Sequence, residues 1–80
     1  MKRNSLDICS DILKASRGGA KKTHLVYQAN LNFEIIKGYL SDLTEKGLLD
    51  QHGDMFFPTE KGRDFVIRYE ALVSPLSSLF

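Results

Sequence analysis

The chain has 80 residues, 11 of them Lys or Arg and 10 Asp or Glu, for a net charge of +1. A chain this short buries roughly 60% of its unfolded surface or slightly more, which allows one small core and marginal stability. No apolar run approaches the ~18 residues of a membrane span, and the opening "MKRNSLDICSD" lacks the apolar stretch of a secretory signal.

The single Cys9 cannot form an internal disulfide, and with only two histidines it does not make a zinc site. The expectation is a cytoplasmic, cofactor-free chain folded as a single domain over 1–80, with a core of 5–73 and a tail of 74–80. Near-neutral charge argues against a simple basic nucleic-acid binder. The charge is unevenly placed, however. Lys2, Arg3, Lys14, Arg17, Lys21, Lys22 and Lys37 face only Asp7, Asp11 and Glu34 in the first half, and acids outnumber bases in the second.

The first helix is expected from Ser5 to Ser16, where Leu6, Ile8, Cys9, Ile12 and Leu13 form an apolar stripe at helical spacing. Gly18-Gly19 ends it. Cys9 lies in that stripe and reads as a small packed hydrophobe. A short second helix, His24 to Ala29, takes Thr23 as its N-cap and turns Leu25, Val26 and Ala29 inward. After the turn-length "NLN", Asn32 caps a third helix from Phe33 to Lys46. That helix sets Phe33, Ile36, Tyr39, Leu40 and Leu43 on one side, with Glu34, Lys37, Gly38, Ser41 and Glu45 on the other.

Gly47 then stops the helix as a left-handed residue just past its end. "LLDQ" and "MFFP", separated by "HGD", read as a two-stranded hairpin ending at Pro58. Thr59 caps a fourth helix from Glu60 to about Val73, and Pro75 blocks its extension. "TEKG" at Thr59 to Gly62 is thus a helix start, and its likeness to the stop at Gly47 is read as coincidental. The fold class is mainly α with a small β-hairpin, in the order of a winged helix-turn-helix.

"KKTHLVYQANLNFEIIKGYLSDLTEKGLL" followed by "FPTEKGRDFV" resembles the archaeal winged-helix regulators of the ArnR-like type. It is also similar to related archaeal chromatin proteins that append a coiled coil. The residues that carry the likeness are Lys21, Lys22 and Thr23, then Ala29, Asn30 and Leu31, in the short basic link and tight turn. Tyr39, Leu40, Leu43, Gly47 and Leu48 carry it in the recognition helix, and Thr59 to Gly62 at the start of the last helix. The resemblance implies a DNA-binding transcriptional regulator that dimerises through its C-terminal helix. The chromatin relatives have a longer last helix, whereas here Pro75 intervenes.

In a helix-turn-helix the N-terminal half of the second helix enters the major groove. Here that half offers Asn32, Glu34, Lys37, Gly38 and Ser41. Lys37 and Ser41 suit a base edge or a phosphate. Gly38 either lets the backbone approach the groove or is a tolerated glycine on a solvated face, at ~1 kcal/mol against alanine. Asn32 is first of all a cap, whose helix end also favours phosphate. Glu34 would repel phosphate and reads as the edge of the footprint.

Arg17, Lys21, Lys22, Thr23 and His24 form the link expected to anchor phosphates of double-stranded DNA. The hairpin tip is acidic through Asp50 and Asp54, leaving His52 as its one candidate contact. Tyr27 and Tyr39 are able to hydrogen-bond phosphates, but as aromatics beside apolar stripes they read first as core residues. On the last helix Phe65, Tyr69 and Leu72 are expected to close the core. A homodimer face is assigned to Val66, Tyr69, Val73, Leu76, Leu79 and Phe80.

Catalysis is not expected. "GGAKKT" lacks the glycine before the lysine that a phosphate-binding loop needs, and no histidine has a partner at ligand or triad spacing. The rival to a DNA-binding regulator is a winged-helix protein-interaction module, favoured by the near-zero charge, the acidic tip and Glu34. Non-specific chromatin binding is a third reading.

Overall fold

The computed structural model describes residues 4–77. The elements run α1 (Ser5–Ala15), β1 (Ala20–Lys21), α2 (Lys22–Ala29), α3 (Phe33–Glu45), β2 (Leu49–His52), β3 (Met55–Pro58) and α4 (Glu60–Ser77). This is the expected winged helix-turn-helix layout, with one strand more than the expected hairpin.

Local chemistry sets most of the boundaries. Asn4 caps α1 by accepting from the Asp7 amide at 2.8 Å, and Asp7 reaches back to the Asn4 amide. The reciprocal pair satisfies amides that have no partner inside the helix. Asn32 caps α3 in the same way, accepting from the Ile35 amide at 2.8 Å. At the other end of α3 the Gly47 amide donates to Thr44 and the Leu48 amide to Leu43. Gly47 has φ +76°, so glycine avoids the Cβ clash of this turn. Asn30 takes the same left-handed position after α2, with φ 55°.

α2 departs from the sequence expectation. It begins at Lys22, two residues earlier than expected, and Thr23 lies inside it instead of capping it. The cause is β1. Ala20 and Lys21 pair antiparallel with Phe56 and Met55, so the chain leaves the sheet extended at Lys21 and turns directly into helix. The three strands are ordered β1-β3-β2, with Leu49 opposite Pro58 and His52 opposite Met55.

The core joins every helix to the sheet: Ile12 and Leu13 from α1, Leu25 and Ala29 from α2, Ile36, Leu40 and Leu43 from α3, Leu49 and Phe56 from the sheet, and Val66 from α4. The two Glu-Lys-Gly stretches, at Glu45–Gly47 and Glu60–Gly62, meet in space. Thr59 donates its hydroxyl to the Gly47 carbonyl at 2.7 Å and accepts from the Gly62 amide at 3.0 Å. Lys61 Nζ donates to the Lys46 carbonyl at 3.2 Å. Gly62 itself lies under Leu48, where a Cβ would sit 2.1 Å from the Leu48 carbonyl oxygen. The start of α4 is therefore docked on the end of α3.

α4 departs from the sequence expectation at three points. It runs through Pro75 to Ser77 instead of stopping near Val73. Proline has no amide to serve the Ala71 carbonyl, and that missing bond falls in the last, exposed turn of the helix. Val66 is 1% exposed and belongs to the core, so it has no surface to give a partner. Leu72, expected inside, is 73% exposed. The tail residues Leu79 and Phe80 lie outside the described residues. No helix among the described residues is long and apolar enough to cross a membrane.

Candidate nucleic-acid interface

α3 owes its exposed face to its own periodicity. Ile36, Leu40 and Leu43 point into the core, which leaves Glu34, Lys37, Gly38, Ser41 and Glu45 in solvent. Gly38 sits in the middle of that face. A Cβ built there meets nothing within 4 Å. No neighbouring group of the chain requires a glycine, although one inside a helix costs ~1 kcal/mol relative to alanine.

Beside this face a groove of about 610 Å³ separates α3 from the β2–β3 hairpin. Lys37, Ser41 and Thr44 line it from α3, Gln51 and Asp54 from the hairpin, and Lys22 from the start of α2. Lys22 also holds its ammonium 5.8 Å from the centre of the Phe33 ring, a distance at which the ring's negative face attracts a cation. Of the expected contacts, Lys22, Lys37 and Ser41 thus converge on one groove. Asn32 stands at the head of the same helix, engaged as its cap.

The remaining residues of the basic link are less concentrated than their sequence positions imply. Arg17 lies beyond the end of α1, and Thr23 and His24 are exposed in the first turn of α2. Lys21 is on β1, its Nζ 3.6 Å from Asp54 Oδ2 at the hairpin. Both side chains are well exposed, so this pair contributes little to stability, yet it sets a carboxylate against one of the anchoring cations. His52 closes β2 and packs edge-on against Phe57, with ring centroids 5.6 Å apart.

Three side chains fall where the sequence reading did not put them. Phe33 is 51% exposed instead of joining the core stripe, because at the first position of α3 no element covers it. Tyr27 is 83% exposed and is not a core aromatic. The inward set Leu25, Val26 and Ala29 already leaves position 27 on the far side of α2, a signal present in the sequence. Gln51 carries no motif, and only the fold brings it to the groove. Tyr39 is half-buried and donates to Ser5 Oγ at 3.2 Å.

Tyr69 donates to Asp7 and stacks on Phe65, which ties α4 to the cap of α1. The hydrogen bond to Asp7, followed by burial, raises the Tyr69 pKa. Burial, reinforced by Asp42, also pushes the Cys9 thiol up, which makes it a poor nucleophile. No group of His, Cys, Asp and Glu among the described residues is arranged to hold a metal ion.

A family model described as winged helix-turn-helix matches residues 2–75. The crystal structure of Sso10a-2, a DNA-binding protein from Sulfolobus solfataricus, is similar to this chain, with a TM-score of 0.85 and 26% sequence identity. The similarity covers 96% of this chain and 85% of that one. No curated protein matches the sequence. With nearly all of its length matched, this chain belongs to the winged helix-turn-helix family.

Proposed function

We propose that the chain is a DNA-binding transcriptional regulator acting in the cytoplasm as a single winged domain over 1–80, of the archaeal ArnR-like type. In this reading α3 enters the major groove through Lys37, Gly38 and Ser41, with Asn32 directing the helix end at a phosphate. Arg17, Lys21, Lys22, Thr23 and His24 hold the flanking phosphates, and His52 is the contact from the wing. Similarity to Sso10a-2, a DNA-binding protein, supports the reading.

The observation that carries it is Gly38. A glycine with open space around it, at the centre of the exposed face of the helix, is unfavourable for the isolated chain. It is explained if another surface approaches the backbone there. Gly38→Ala is then expected to raise stability by ~1 kcal/mol in thermal or urea unfolding. The same variant should bind duplex DNA more weakly, read by fluorescence anisotropy. A variant that is more stable and binds DNA as well as the parent would show that α3 does not present this face to the groove.

The chain is further proposed to act as a homodimer through α4. Phe65, Tyr69, Leu72 and Leu76 recur at the four-three-four spacing of a coiled-coil seam. Leu72 and Leu76 are exposed on it and Val73 is half-buried beside it. Leu72→Glu should convert the dimer to a monomer in sedimentation or light scattering, and an unchanged mass would remove the seam from the account.

The rival, a winged protein-interaction module, draws on one feature of the groove. Glu45 and Asp54 share its lining with Lys22 and Lys37, so the groove is of mixed charge.

A further inference from the structure

The first turn of α3 presents an aromatic ring to solvent beneath one cation and one helical turn ahead of another. Phe33 is half-exposed and takes no part in the core or in the shell packed against it. Lys22 lies over the ring at 5.8 Å from its centre. Lys37 stands four residues further along α3, one helical turn away on the same side. An apolar ring that gains nothing for the core, steadied by one ammonium and followed by another, suits a partner with an apolar group set close to anionic groups.

Duplex DNA offers that combination in one place. The thymine 5-methyl group projects into the major groove, and it is the apolar feature that separates A·T from G·C there. Phosphates flank the groove on both sides. We infer that Phe33 is a specificity residue that packs on a thymine methyl, with Lys22 fixing the ring and Lys37 engaging the adjacent backbone. This rests on the DNA-binding reading above and adds a sequence preference to it: sites with thymine under the head of α3 bind more tightly than sites without. Position supports the assignment, because the residues at the N-terminus of a recognition helix are those that meet base edges. Phe33 is the first residue of α3.

Replacing thymine by uracil removes the methyl group and leaves the hydrogen-bonding pattern of the pair unchanged. The test is anisotropy titration of the full chain against an alternating A·T duplex and the matching A·U duplex at fixed salt. Wild type should bind the thymine duplex roughly fourfold more tightly per contacted methyl. Phe33→Ala should lose that ratio and bind both duplexes as wild type binds the uracil one, while Phe33→Leu, which keeps an apolar side chain, should retain part of it. The exposure of Phe33 leaves the fold intact in each variant, which a melting curve verifies.

Equal binding of both duplexes by wild type overturns the inference, and so does an undiminished ratio in Phe33→Ala. Absence of binding to either duplex at low salt is a different failure, because it removes the DNA-binding reading itself.

Discussion

Gly62→Ala is expected to destabilise the fold by about 3 kcal/mol, although alanine is the better helix former by ~1 kcal/mol. The added Cβ would lie 2.1 Å from the Leu48 carbonyl oxygen and 3.2 Å from Leu13 Cδ2. A side chain can rotate away from such a contact. Leu48 cannot, because its carbonyl also accepts from the Thr59 amide at 3.1 Å, and the neighbouring Gly47 carbonyl accepts from the Thr59 hydroxyl at 2.7 Å. Relief requires α4 to lift off the end of α3, which loosens Val66 in the core. For a chain of this size the melting temperature should fall by well over 10 °C, at about 4–8 °C per kcal/mol. Melting within a few degrees of the parent would mean that the α3–α4 junction is looser than described. The contrast with Gly38 is useful, since the same chemical change in another helix is expected to have the opposite sign.

Ile35 and Ile36 give the second large effect and its internal control. Ile36 is fully buried in the core, while Ile35 is 47% exposed. Ile36→Ala should cost ~3–4 kcal/mol, because the emptied space is walled by Leu40, Leu43 and their neighbours and closes only in part. Ile35→Ala should stay within about 0.5 kcal/mol, as a half-exposed substitution outside the core that keeps the backbone amide Asn32 caps. Urea unfolding of the two variants side by side measures the rotation of α3 about its own axis. Comparable losses at both positions would show that the face assigned to DNA is turned away from where it is described.

The sequence disclosed the parts of this fold that depend on local chemistry. Asn32 before an apolar-periodic run, and Gly47 after it, bracket α3 to within a residue, since caps and left-handed turns leave a residue-type signature. β1 left none, because two residues cannot show a period, and its existence depends on an edge of β3 that lies far away in the chain. The same holds for Gly62, whose reason is a carbonyl on another element. Pro75 was misleading for a related reason. Proline removes one hydrogen bond and crowds the preceding turn, and here that cost falls only on the last, exposed turn of α4.

The site was legible in composition and less so in arrangement. The cluster from Arg17 to His24 reads as one patch along the chain. Folding spreads it over the end of α1, β1 and the first turn of α2, and gives Lys21 an acidic neighbour in Asp54. Lys22 and Lys37, distant in sequence, come to share a groove. Val66 shows the limit of reading a helix face without its neighbours. It follows Phe65 directly, about 100° further round the helix, and packing against α1 and the sheet decides that Val66 is the more fully covered of the two.

The salt dependence of binding decides whether the groove and exposed face of α3 engage duplex DNA. Anisotropy of a mixed-sequence duplex should be titrated with the parent chain and with Lys22→Ala/Lys37→Ala over a range of salt concentrations. Each phosphate neutralised contributes about −0.9 to the slope of log affinity against log salt. A slope of several units is expected for the parent and one shallower by about 2 for the double variant, whose weakened binding is most evident at low salt. A slope unaltered by removal of both lysines would place any DNA contact elsewhere on the molecule and contradict the account.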